Sequence, residues 1–390
     1  MTTTTQTKRN PWLSVIAIAI GALALVITEF LPVGILPDIA RDFGILEGTA
    51  GLAITFTALL GAFAAPFTTI VIKQLDRRIV LLSLTLMLII SSILSFLSPN
   101  FIVFIIARII LGLGVGGFWA IAVATAAKLV PSDKVARASS IVLGGISLGT
   151  VISVPAGSFI AAHLNWEASF VAASVFAIIV FILQLFLLPR IPMELGVKVK
   201  DYLELFRSKK IRLILSVVIF IVAAQYSAFT YITPFLQQVT GIGPNLLSTL
   251  LLVYGIVVIF GNFIGEYIAK LGLPQMNGIT ATIYFVSFVV IAVIGENLTA
   301  TTIVFILWAL AWGMAPLGSQ LWIFSSAKNA EAAQAIFTGI FQLSISAGSL
   351  VGGIAVNAIN LTSSMWLGAI LVALALIMVI VSMNKKQNTA

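Results

Sequence analysis

Twelve separate apolar runs, each long enough to cross a bilayer as a helix, decide what this chain can fold into. They lie at residues 12–37, 49–72, 79–98, 101–125, 136–162, 166–189, 211–237, 246–270, 275–295, 300–325, 331–358 and 363–384. About 20 apolar residues suffice for one crossing. Only 9% of the 390 residues are charged and 60% are hydrophobic, whereas an ordinary soluble domain is about 25% charged. The expectation is an all-α integral membrane protein with twelve transmembrane helices. The run after Met1–Asn10 is too long for a signal-peptide core, and no small-residue cleavage pattern follows, so it reads as a retained first helix.

Loop charges orient the set. Of the 21 Lys and Arg, all but Arg41 and Arg108 fall at a terminus or in an even-numbered loop. Positive loops stay on the cytoplasmic side, so both termini are predicted to be cytoplasmic. The net charge of +8 is then mostly topology, and nucleic acid is not expected as a partner. The expected partners are the lipid bilayer and a small-molecule substrate. Cysteine is absent and His163 is the single histidine. Disulfides and thiolate sites are therefore impossible, and zinc, which takes several His, Cys or carboxylate ligands, is not expected. No Walker A pattern occurs, so ATP hydrolysis at a P-loop is not expected either.

The longest connection is also the one strongly charged stretch. It divides the chain into residues 1–189, a cytoplasmic linker at 190–210, and residues 211–390. Tyr202, Leu203, Leu205 and Phe206 within it suit a short amphipathic helix on the membrane surface, and a plain solvated linker is the alternative. Gly61 and Gly261 hold matching places in spans two and eight, and Lys128 and Lys328 match after spans four and ten. A six-plus-six repeat is common among transporters.

Two ionisable groups sit inside spans: Glu29 in the first and Arg108 in the fourth. Their places imply depths of roughly 12 Å and roughly 10 Å from the outer surface at 1.5 Å rise per residue, so they can meet if their helices are neighbours. Charged groups at such depth are costly and usually serve ions, protons or substrates. Glu29 is expected to exchange a proton as its surroundings alternate between wet and dry; the alternative is a static structural pair. Pro32 and Gly34 loosen the helix just beyond the acid.

Span four contains Gly112-Leu-Gly-Val-Gly-Gly117. It matches a dinucleotide fingerprint in letters only, because the fingerprint needs a preceding strand. Small residues instead let helices approach closely, and Gly144, Gly145, Gly149, Ala156 and Gly157 of span five are expected to face it, with a kink at Pro155. Gln225, Tyr226, Phe229, Trp308, Trp312, Gln320, Gln334 and Gln342 add aromatic faces and amides at depth, which suits a flat, neutral, polar ligand. Tyr231 and Trp322 are candidates for the interfacial aromatic belt. His163 reads as a solvated outer residue. The sequons at Asn297 and Asn360 carry little weight.

Several of these segments resemble the major facilitator superfamily, specifically its twelve-span drug/proton antiporter branch. They are Thr28-Glu-Phe-Leu-Pro-Val-Gly-Ile-Leu-Pro37 and Leu75-Asp-Arg-Arg78, a shortened form of a loop motif. Arg108 through Ala120 also belongs to the set, as does Gly145 through Gly157, with Val154-Pro155 where Gly-Pro is usual. The resemblance implies two pseudo-symmetric six-helix bundles around a cavity lined by spans one, four, seven and ten. It implies a transporter rather than an enzyme, with no cofactor beyond the coupling proton, held by Glu29 and tuned by Arg108. Substrate contacts are expected from Thr28, Trp119, Gln225, Tyr226, Phe229, Trp308, Trp312 and Gln342. Conformational roles are expected for Asp76, Arg77, Arg78, Gly145, Gly149, Pro155 and Gly157. Within the branch, Glu29-Phe-Leu-Pro-Val33 and Gly116-Gly-Phe-Trp-Ala120 look most like sugar and nucleoside exporters. A monomer in a bacterial inner membrane exporting purine nucleosides or bases is the resulting expectation. A pentose sugar, a drug, or passive facilitation are the alternatives.

Overall fold

The computed structural model describes residues 10–71, 75–191, 199–327 and 330–387. It is 88% helical, with no strand among the described residues. Twelve helices are long and apolar enough to cross a membrane. They are α1 (Pro11–Gly34), α2 (Leu52–Val71), α3 (Arg77–Phe96), α4 (Phe101–Lys128), α5 (Val135–His163), α6 (Trp166–Leu187), α7 (Lys209–Phe229), α8 (Pro244–Ile268), α9 (Leu273–Ile294), α10 (Leu298–Phe324), α11 (Ala330–Ala358) and α12 (Ser363–Gln387). In hydrocarbon every backbone donor and acceptor needs an internal partner, which a helix supplies along its length but not at its first turn. Side chains fill that gap: Asn10, Asn100, Asn165 and Asn297 each accept a backbone N–H at the start of α1, α4, α6 and α10. The first sequon asparagine is thus a helix cap.

The predicted first and seventh spans are too long at their C-terminal ends. α1 breaks at Ile35 and resumes as a short helix, Leu36–Asp42; α7 breaks at Thr230–Tyr231 and resumes as Ile232–Gln238. Pro37 and Pro234 explain both breaks, since proline brings no N–H to the carbonyl four residues back.

Helix pairing shows the repeat. In the first bundle α1 packs on α5, α2 on α4 and α3 on α6; in the second, six helices later, α7 packs on α11, α8 on α10 and α9 on α12. The bundles meet where α2 lies on α11 and α5 on α8. Small residues carry the correspondence. Gly116 rests on Gly61, and Gly313 on Gly261. Gly145 lies over the Ala19 carbonyl and Gly149 over that of Leu23; Gly348 and Gly352 lie likewise over Ala223 and Ser227. Lys328, the expected partner of Lys128, lies outside the described residues, as does Lys73.

One expected pairing is corrected. The span-five glycines do not face those of span four. Gly145, Gly149 and Gly157 face α1, while Gly112 and Gly116 face Thr57 and Gly61 of α2. Each glycine stripe is close to a main-chain carbonyl row, not to a second glycine stripe, except at Gly61.

The segment Val199–Arg207 is helical, with Leu205 buried and Phe206 exposed; the side chains of Tyr202 and Leu203 lie outside the described residues. Large apolar side chains such as Phe67, Ile102 and Tyr267 cover the lipid-facing surface. The belt reading fails for Tyr231 and Trp322, which are buried because their helices turn them into the protein. The Tyr231 hydroxyl donates to the Ser349 carbonyl at 2.7 Å.

The bundles are tied together at the end away from the two termini. Asn357 accepts from the Gly48 N–H at 2.9 Å and donates to Thr49 at 3.1 Å. Gln238 donates to Glu47 at 2.8 Å, and the Ser158 and Ser248 hydroxyls are 3.0 Å apart.

Candidate functional site

Pro32 prepares the site before any side chain is considered. It brings no N–H to the Thr28 carbonyl, and its ring pushes that carbonyl aside. The freed acceptor, buried at bilayer depth, needs a donor. Arg108 supplies it from α4: Nη1 donates to the Thr28 carbonyl at 3.0 Å and Nη2 to the Glu29 carbonyl at 2.9 Å. The side-chain hydroxyl of Thr28 donates to Ala24 within the helix at 2.9 Å. Arg108 and Glu29 are therefore brought together as expected, but through the main chain. Among the described residues no salt bridge joins their side chains.

The Glu29 carboxylate is 1% exposed. Its Oε1 accepts from Gln342 Nε2 of α11 at 3.0 Å, a hydrogen bond between the bundles. Its Oε2, Arg108 Nε and Gln342 Oε1 are buried without a hydrogen-bond partner. A carboxylate with one oxygen held and one bare can gain a proton on the bare oxygen without breaking the held bond. Gln342 thus gives one N–H to Glu29 and keeps its carbonyl oxygen unpartnered.

A cavity between the bundles begins one residue further along. It is lined by Phe30 of α1, Thr150, Ser153 and Val154 of α5, Tyr226 and Phe229 of α7, Tyr254, Gly255 and Val258 of α8, and Trp312 of α10. Phe30 stacks on Tyr226 with centroids 5.6 Å apart, and Trp312 meets Tyr226 edge-on at 5.6 Å. The free space is about 20 Å³, room for about one water. The conformation is closed, and a ring-sized molecule enters only if the bundles part. Spans one, seven and ten line it as expected. Span four does not, because its arginine is drawn to the α1 carbonyls; spans five and eight take its place.

Tyr226, Phe229 and Trp312 are where a substrate would meet them. Gln225 and Trp308 are not. Gln225 Oε1 accepts from Trp308 Nε1 at 2.6 Å and from the Tyr284 hydroxyl at 3.0 Å, and its Nε2 donates to the Tyr254 hydroxyl at 3.1 Å. Both acceptor directions and one of the two N–H donors of the amide are used to join α7, α8, α9 and α10. Gln320 and Gln334 bond to each other at 2.8 Å, joining α10 to α11. Trp119 lies away from the central cavity, in a small apolar one with Ala22, Leu25 and Ile146. Tyr254 was missed; a tyrosine in mid-span needs a hydrogen-bond partner when buried, and that need was the available signal.

The loop motif acts inside the first bundle. Asp76 accepts from the N–H groups of Arg78 and Ile191, each at 2.9 Å, and Arg78 donates to the Leu185 carbonyl at 2.8 Å. Arg77 is buried and donates to Thr125 at 3.3 Å. Pro155 lies within α5 beside Val154, whose carbonyl Gly34 of α1 approaches. His163 is exposed and bonded to its own helix at 2.9 Å.

Comparison with known proteins agrees with this architecture. The family model of the Major Facilitator Superfamily matches residues 18–349. The purine ribonucleoside efflux pump NepI of Escherichia coli K12 is 32% identical over 381 residues, covering 97% of this chain and 96% of that protein. The NepI of Shigella boydii serotype 4 is likewise 32% identical with the same coverage. The crystal structure of the human organic anion transporter MFSD10 (TETRAN) superposes with a TM-score of 0.67 over 96% of this chain and 100% of that one. At 17% identity that likeness speaks for the fold alone.

Proposed function

The chain belongs to the Major Facilitator Superfamily, a multi-pass membrane transporter and not an enzyme, and we propose that it exports purine ribonucleosides or bases in exchange for protons. The observation that carries the proposal is the adjacency of two sites on α1. Glu29, with a bare buried oxygen, is next to Phe30, which forms a wall of the aromatic cavity. A group that exchanges a proton and a group that touches cargo are thereby on one turn of one helix. The purine ribonucleoside pumps at 32% identity support the cargo class.

In the mechanism we propose, cargo enters from the cytoplasm between Phe30, Tyr226 and Trp312. The bundles part at the outer end, and a proton from outside settles on Glu29 Oε2 as cargo leaves. Arg108 holds the Thr28–Glu29 backbone in place, so that the acid stays at one position relative to the cavity. Gln342 reports the state of the acid to the second bundle. The protein acts as a monomer in a bacterial inner membrane with both termini cytoplasmic.

Proteoliposomes with an imposed pH gradient test this. Labelled inosine, adenine and arabinose are offered to wild type and to Glu29→Gln. Gradient-driven inosine movement in wild type is expected, with at least a tenfold loss in the variant. Inosine movement indifferent to gradient and variant would instead mean a passive facilitator. Movement of arabinose alone would sink the purine assignment.

A further inference from the structure

The Gln225 cluster fixes the direction of a proton at the cavity wall. An indole N–H can only donate, so the atom 2.6 Å from Trp308 Nε1 must be the amide oxygen. The amide nitrogen is then turned to Tyr254, whose oxygen accepts at 3.1 Å. A phenol has one proton to give, and that of Tyr254 is left for another acceptor. The ring is held between Phe229 and Phe305, at centroid distances of 5.0 and 4.5 Å. Tyr254 is 4% exposed and lines the cavity.

The rest of the lining has the same division. Tyr226 and Trp312 line the cavity from the second bundle, and among the described residues neither polar group has an assigned hydrogen bond. On the first bundle, Thr150 gives its proton to the Ile146 carbonyl at 3.0 Å and Ser153 gives its proton to the Thr150 carbonyl at 3.4 Å. Their oxygens are left as acceptors. Donors therefore stand on α7, α8 and α10, and acceptors on α5.

Resting on the purine reading above, we infer that Tyr254 sets specificity by donating to one ring acceptor of the cargo, so that the purine turns an acceptor edge to α8 and its N–H or hydroxyl groups to α5. The test compares inosine with three analogues, lacking in turn the 6-oxo group, N7 and N3, in competition for transport by wild type, Tyr254→Phe and Tyr226→Phe. One analogue is expected to compete about tenfold more weakly than inosine in wild type, the value of one hydrogen bond. In Tyr254→Phe inosine weakens to the level of that analogue and the difference disappears; in Tyr226→Phe it persists. Equal competition by all four compounds in wild type overturns the inference without recourse to any variant. So does a difference that survives in Tyr254→Phe, and in both cases continued inosine transport leaves the purine reading standing. Failure of wild type to carry inosine overturns both.

Discussion

Arg108 acts on a carbonyl that exists as a free acceptor only because of Pro32, and this makes the two residues one unit. Replacing Arg108 with Met leaves the Thr28 carbonyl buried and unpaired, at a cost of about 1–3 kcal/mol. Replacing Pro32 with Ala restores an N–H at that place. The double variant Pro32→Ala/Arg108→Met is expected to recover about 1 kcal/mol of the loss, a coupling between contacting residues, read by thermal unfolding of the purified protein. Simple additivity of the two changes would mean that Arg108 is held by something else. The sequence made both residues conspicuous, one by its charge in an apolar run and the other by its missing donor. It did not join them, because a bond from side chain to main chain leaves no complementary side chain to find. The same limit explains Gln225. Its depth was legible, but three aromatic partners on three other helices hold the amide, and nothing local records that.

At the scale of the helix, close approach is set by which glycines meet carbonyls. A methyl on Gly145 would land on the Ala19 carbonyl, whereas one on Gly144 meets nothing within 4 Å. Gly145→Ala is therefore expected to force α1 from α5 and to destabilise by about 1–3 kcal/mol. Gly144→Ala, one residue away, should be neutral or gain up to about 1 kcal/mol from helix propensity. Gly348→Ala should behave like Gly145→Ala, since it stands over Ala223 in the repeat. Unfolding midpoints of the three variants check all of this together, and similar midpoints for Gly144→Ala and Gly145→Ala would refute it. The stripes could be seen in the sequence, but their partners were assigned wrongly. Small residues announce a close contact without naming the other side, and the other side here is mostly backbone, which has no letter. The repeat was visible at Gly61 and Gly261 and at Lys128 and Lys328. The spacing shared by Gly145–Gly149 and Gly348–Gly352 was present in the letters but was obscured by unrelated residues between.

For the whole molecule the question is which contacts must break for cargo to pass. The cavity holds about 20 Å³, far less than a nucleoside, and the bundles are joined at the end away from the termini by Ser158 to Ser248 and by Asn357 to Gly48 and Thr49. If export proceeds by parting this end, a covalent tie there must stop it. The chain has no cysteine, so an introduced pair has no background. Ser158→Cys/Ser248→Cys is the natural choice, because the two hydroxyl oxygens are already 3.0 Å apart and a disulfide needs close, facing side chains. Oxidation of the double variant in proteoliposomes is expected to cut inosine export at least tenfold, and reduction to restore it, while each single variant ignores the oxidant. Transport at the wild-type rate by fully oxidised protein would mean that α5 and α8 need not separate, and the rocking of the two bundles would have to be replaced by a movement confined to other helices. Twelve spans and two halves follow from hydropathy, loop charge and spacing, which act along the chain. Which end is shut does not, because it depends on hydrogen bonds such as that between Asn357 and Gly48, whose partners stand 309 residues apart in sequence.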